Sequence, residues 1–162
     1  MSTDLLLRRK WTLRACGQQV VFVKNPNEHS HHVLMKAFLW ALYLPDYTDL
    51  SVEVPIGDRY KPDVVSLDGQ GQPRFWGEAG QVGVRKIRSL VKRYPHTHFA
   101  IAKWETRLDP VVEIVQRAIS DVKRTAPFDL LAFSADSSER FIDEYGNIRL
   151  QHDDLDWVRL SA

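Results

Sequence analysis

Between Val33 and Leu42 apolar residues recur at three- and four-residue intervals, the spacing of one helical face. Val33, Leu34, Ala37, Phe38, Ala41 and Leu42 make the stripe, and Met35, Leu39 and Trp40 widen it until little polar surface remains. The pattern predicts a helix from about Glu28 to Tyr43, buried nearly all round. Asn25-Pro26-Asn27 breaks the chain before it, with Asn27 as the expected cap, and Pro45-Asp46 ends it. Elsewhere the period is two. Leu5–Arg14 and Gln18–Lys24 read as strands of a hairpin around Cys16-Gly17, and Leu50–Val54 as a further strand. Lys61–Asp68 and Pro73–Ala79 alternate on either side of the turn residues Gly69–Gln72. A helix follows from about Val84, with Val84, Ile87, Val91 and Tyr94 inward and Arg85, Arg88, Lys92 and Arg93 outward, and Pro95 stops it. His98–Trp104 reads as a central strand, Asp109-Pro110 as a helix start, and Val111, Ile114, Val115, Ala118, Ile119 and Val122 as its core stripe. Phe128–Ser134 is the next strand. Arg140–Asp143 and Asn147–Gln151 flank Glu144-Tyr145-Gly146 as a second small hairpin, and nothing is assigned from His152 onward. The order predicts an α/β fold, a mixed central sheet flanked by helices with a β-hairpin near each end.

One stretch carries candidate chemistry. With residues 69–72 as the loop, Asp68 pairs with Pro73, and counting back sets Asp63 opposite Glu78. Directly opposed like charges destabilise a sheet, and a shared cation would reverse that cost.

Composition narrows the setting. The chain has 162 residues, enough for one domain with a sizeable core; 44% are apolar and 27% charged, as in a soluble globular protein. The net charge of +1 excludes a general polycation, so any nucleic-acid surface must be local. A single cysteine, Cys16, rules out an intrachain disulfide and fits a reducing cytoplasm. Met1–Arg9 lacks the layout of a signal peptide, and Val33–Leu44 is too short to span a bilayer.

The order helix–strand–strand–strand–helix–strand, with Pro62-Asp63 and Glu78-Ala79-Gly80, resembles the PD-(D/E)XK nuclease-like superfamily and its restriction-endonuclease-like core. Within it the chain is most similar to the YaeQ family, on the N-terminal hairpin, Asn27-Glu28 opening a helix that contains Phe38–Tyr43, Trp76–Gly80, the basic Arg85-Lys86-Ile87 and the closing Arg140–Gln151 hairpin. The resemblance implies a magnesium (or manganese) site on Asp63, Glu78 and the backbone carbonyl of Ala79. Glu28 matches the acid of the family's first helix, which completes the metal shell or orients a water. The lysine of the motif would stand two residues after Glu78, where this chain has Gly80. Lys86, reaching in from the next helix, and Gln81 are the candidate substitutes, the second able to orient a water but not to take its proton. Magnesium prefers one or two carboxylates plus waters and phosphate oxygens, so the acids suit it. The implied activity is hydrolysis of phosphodiester bonds in DNA or RNA. A catalytically degenerate fold that binds nucleic acid or protein is the alternative, and a small protein-interaction module a weaker third.

Ala79–Trp104 holds six lysines and arginines and no acid. Arg85, Arg88, Lys92 and Arg93 are the expected phosphate contacts. His29, His31 and His32 have no partner at zinc-like spacing and read as a solvated helix start, as His96 and His98 read as solvated residues at a strand entry. Trp76 and Trp104 read as core residues. Glu53 stands in for Glu28 if the register is different.

Overall fold

The computed structural model describes residues 3–160. One sheet of six strands runs in the order β3 (Ser51–Val52), β4 (Val64–Leu67), β5 (Pro73–Ala79), β6 (His98–Trp104), β7 (Phe128–Phe133) and β8 (Asp156–Leu160). The first three are antiparallel, β5 to β7 are parallel, and β8 is antiparallel to β7. The parallel steps cross over through α3 (Val84–Arg93) and α4 (Leu108–Ile119). Both steps move the same way across the sheet, so right-handed crossovers put both helices on one face. There Ile87, Leu90, Val91, Val115 and Ala118 pack on Trp76, Phe99, Ile101, Phe128 and Leu130.

The other face carries α2 (Ser30–Tyr43), and a second sheet, the hairpin of β1 (Lys10–Ala15) and β2 (Gln18–Val23), packs beyond it. Between two sheets the helix has no wet side, and every residue from Val33 to Tyr43 is buried. The expected all-round burial is met, for that reason.

The differences are local. Leu5–Leu7 belong to a short helix, α1 (Thr3–Leu7), because Leu5 and Leu6 pack on the α2 core while strand pairing starts only at Lys10. Helix α2 starts at Ser30, not Glu28; Asn25–Glu28 form a turn, and the capping position is held by His29, whose side chain caps nothing. The Leu50–Val54 strand shrinks to two residues because Glu53 takes a left-handed φ of 57°. Asp68 does not pair with Pro73. Its side chain accepts the Gln70 and Gln72 N–H groups and closes a wider loop, so Leu67 opposes Pro73 across a bulge. Val84 is exposed as the first residue of α3, and Leu90 packs inward. Asp109 lies one residue inside α4 rather than capping it. The C-terminal hairpin is present as one tight bridge, Ile142 opposite Ile148, while Arg140 and Phe141 fall in α5 (Ser137–Phe141). It is stitched to β1: Gly146 accepts the Arg14 N–H and Arg14 accepts the Ile148 N–H. The unassigned tail forms a 3-10 turn at His152–Asp154 and the edge strand β8. No helix among the described residues is long and apolar enough to cross a membrane.

Candidate functional site

The ladder of β4 and β5 fixes the geometry. Val64 pairs with Gly77 and the Asp63 N–H donates to the Gly77 carbonyl at 3.1 Å, so Asp63 opposes Glu78 as expected. The bulge between Ser66 and Leu67 offsets the one-residue shift of the wider loop, which is why the register at Asp63 is the expected one.

Each carboxylate has one oxygen tied to the protein. Asp63 Oδ2 accepts the Ala79 N–H at 2.8 Å. Glu78 Oε1 accepts the Trp76 indole N–H at 2.9 Å and lies 2.9 Å from Lys86 Nζ. The other two oxygens, Asp63 Oδ1 and Glu78 Oε2, have no protein donor among the described residues and remain available. Glu78 is only 7% exposed. Burial first, then the Asp63 charge, push its carboxyl above the usual range, against the pull of Trp76 and Lys86. Burial also raises Asp63, outweighing the Ala79 N–H and the nearby His32 and Lys36. Charges that repel in a half-dry setting are a binding potential for a cation.

Lys86 projects from the first turn of α3, its ammonium 5.1 Å from the Tyr60 ring centre as well as against Glu78. Of the two expected substitutes for the motif lysine, it is the one the fold brings to Glu78. Gln81 is exposed and its side chain makes no hydrogen bond among the described residues. At Gly80 the chain turns off β5 with a φ of +89°, where any side chain is strained.

Glu28 stands one layer back. Its Oε2 lies 2.6 Å from both Lys36 Nζ and His32 Nδ1. Burial raises its carboxyl, but Lys36, His32 and the Asn25 N–H outweigh this and hold it below the usual range. Lys36 is 1% exposed and also meets Glu53 Oε1 at 2.6 Å. Burial disfavours its charge, yet the two glutamates more than compensate and raise its pKa. His32 Nε2 reaches the Ala79 carbonyl at 3.2 Å, joining α2 to the end of β5. Glu53 therefore shares a lysine with Glu28 rather than replacing it.

The histidine expectations are corrected here. His32 is a bridge, not a solvated residue. His29 and His31 stack on each other and on Trp104, which is half-buried rather than core. His98 is buried, between the Tyr47 hydroxyl at 3.0 Å and Asp129 at 2.7 Å. Trp76 is core and a donor to the site at once. Residues missed altogether are Lys36 and Lys103, whose ammonium donates to the Gly80 carbonyl at 3.0 Å. Lys36 had a signal: a lysine inside an apolar helix needs a buried anionic partner.

Of the basic residues, Arg85, Arg88 and Lys92 are exposed on α3 and form no ion pair among the described residues. Arg93 is committed to Asp58. Burial raises that aspartate, but Arg93, the Tyr94 hydroxyl and the Tyr60 N–H bring it down to about 2.

No protein-family model matches the chain, and no curated protein matches it by sequence. Solved structures do match. The YaeQ protein from Pseudomonas syringae aligns with a TM-score of 0.63 at 15% identity, covering 94% of each chain. The YaeQ protein from Xanthomonas axonopodis pv. citri aligns with a TM-score of 0.58 at 15% identity, covering 88% of this chain and 82% of that one. The fold is that of the YaeQ proteins. At this identity the likeness is one of architecture, and chemistry rests on the side chains.

Proposed function

We propose that the protein is a YaeQ-family member of the PD-(D/E)XK type, a cytoplasmic magnesium- or manganese-dependent hydrolase of phosphodiester bonds in DNA or RNA. The observation that carries the reading is the opposed Asp63–Glu78 pair, each acid raised and each with a free oxygen, beside Lys86. Among the described residues no three His, Cys, Asp or Glu side chains converge on one point. That suits magnesium, which takes few carboxylates and keeps its waters, better than zinc. Asp63, Glu78 and the Ala79 carbonyl would hold it. When bound, such an ion lowers the pKa of an attacking water and offsets charge on the scissile phosphate.

The chain's own residues do the rest. Lys86 sits where a cation stabilises the phosphate's developing charge, the role left open by Gly80. The Trp76 indole and the Ala79 N–H orient the two carboxylates. Glu28, Lys36 and Glu53 form a charged truss around the buried Lys36 that holds α2 against the end of β5 through His32. Arg85, Arg88 and Lys92 offer the backbone phosphates a basic surface.

The test is cleavage of plasmid, single-stranded DNA and RNA with magnesium or manganese by the wild type and the Asp63→Ala, Glu78→Ala and Lys86→Ala variants. We expect both carboxylate variants to lose cleavage and Lys86→Ala to slow it about a hundredfold, the usual effect of removing one group that stabilises a transition state. Equal trace activity in all four proteins would reject hydrolysis and leave the non-catalytic binding fold as the reading.

A further inference from the structure

Three aromatic rings lie in a row at the start of α2. His29 and His31 are 5.2 Å apart between centroids with planes 6° from parallel, and His31 and Trp104 are 5.6 Å apart at 17°. Residues two apart on a helix do not face each other. These two do because His29 is outside the helix, in an extended conformation with φ −74° and ψ 146°. His31 is the middle ring and Trp104 backs onto the α2 core, so exposed His29 is the open end. None of the three side chains makes a hydrogen bond among the described residues, so their polar edges are as free as the outer face.

The chain neighbours of the stack reach the end of β5. His32, next to His31, touches the Ala79 carbonyl, and Lys103, next to Trp104, donates to the Gly80 carbonyl. The Ala79 N–H is in turn held by Asp63. The Ser30 hydroxyl bonds the Leu6 carbonyl at 3.3 Å, which brings the exposed Arg8, Arg9 and Lys10 to the same end of α2.

We infer that His29, His31 and Trp104 form a stacking platform for an unpaired base of a single-stranded nucleic acid, on the α2 side of the end of β5. This rests on the phosphodiester reading above and names its substrate class. A paired base hides both faces within the duplex, whereas an unpaired base offers a face to an aromatic ring and its phosphates to nearby cations. Stacking of this kind is tolerant of sequence, since every base has such a face.

The experiment measures anisotropy of labelled oligothymidylate, a duplex of equal length and an abasic phosphodiester chain of equal length, all in EDTA so that nothing is cut. The proteins are wild type, the His29→Ala/His31→Ala double variant and the His29→Phe/His31→Phe double variant. Wild type is expected to prefer oligothymidylate to the other two. The alanine pair loses about tenfold on oligothymidylate alone, and the phenylalanine pair restores it. No preference in the wild type, no loss in the alanine pair, or an equal loss on the abasic chain would overturn the platform. Cleavage is scored separately: stack-dependent binding without cleavage upholds the platform and rejects hydrolysis, while cleavage with stack-independent binding does the reverse.

Discussion

Asp63 and Glu78 spend folding energy on standing opposite each other. Both carboxyls titrate above their ordinary range, Asp63 through burial and Glu78 through burial and then its neighbour's charge. A raised acid favours the fold while it is protonated. Its contribution is complete below the unfolded pKa, about 4, and is lost as pH rises through the folded pKa. At neutral pH the ionised pair therefore opposes folding. Asp63→Asn keeps an oxygen for the Ala79 N–H and removes one charge. It is expected to raise stability at pH 7 by up to about 1 kcal/mol, the scale of an opposed like-charge pair, or about 2–4 °C in Tm. Magnesium should raise the Tm of the wild type and leave this variant unmoved. Thermal unfolding with and without the ion, from pH 4 to 8, checks both; a variant less stable than wild type at pH 7 would contradict the repulsion. Lys36 shows the opposite solution to the same problem, since a charge this deep persists only because Glu28 and Glu53 close on it from two sides.

At the scale of elements, β8 is held by its ladder with β7 and by one buried side chain. Asp129 on β7 is fully buried and accepts from Arg159 on β8 at 2.8 and 3.0 Å, from the Tyr43 hydroxyl at 2.6 Å, and lies 2.7 Å from His98 Nε2. Burial works against its charge, yet His98, Arg159 and Tyr43 hold it well below the usual range. That support is present above the unfolded carboxylate pKa and is lost as pH falls toward the folded one. Asp129→Asn is expected to cost about 3–5 kcal/mol at neutral pH, the toll of breaking a buried pair, and to flatten the acid side of the stability curve. Urea unfolding across pH measures this, and early hydrogen exchange in β8 would locate it. Strand β8 was also the element least legible in the sequence. Asp156–Leu160 is short, follows the acids Asp153 and Asp154 and lies on an edge, and its anchor is a residue 30 positions away. The parallel strands and their helices were legible because their periodicity is strong. The Asp63–Glu78 opposition was read correctly because the bulge cancels the one-residue shift that the wider loop introduces. The roles of His98, on Tyr47 and Asp129, of His32, on Ala79, and of Lys36, on Glu53, were not, since these partners sit on elements that meet only in the fold.

Across the whole molecule, charge is uneven although it nearly cancels. Arg85, Arg88 and Lys92 stand together on the outer side of α3, whose first turn also sends Lys86 to the carboxylates. Replacing the three by alanine is expected to weaken binding to any oligonucleotide alike and to reduce the slope of log affinity against log salt by about 2. Titrations at several salt concentrations give the slope, and an unchanged slope would place the phosphates elsewhere. Arg93 belongs with Asp58 and should not contribute. The two faces of the sheet are built differently, one by a pair of helices open to water and the other by α2 alone, enclosed between sheets. That enclosure has a mechanical consequence. Helix α2 is a rod of about 21 Å, gripped at one end by Glu28, His32 and Ala79 and at the other by Tyr43 on Asp129. Packed along its whole length between these ends, it is a direct mechanical link from the end of β5 to the Asp129 anchor of β8.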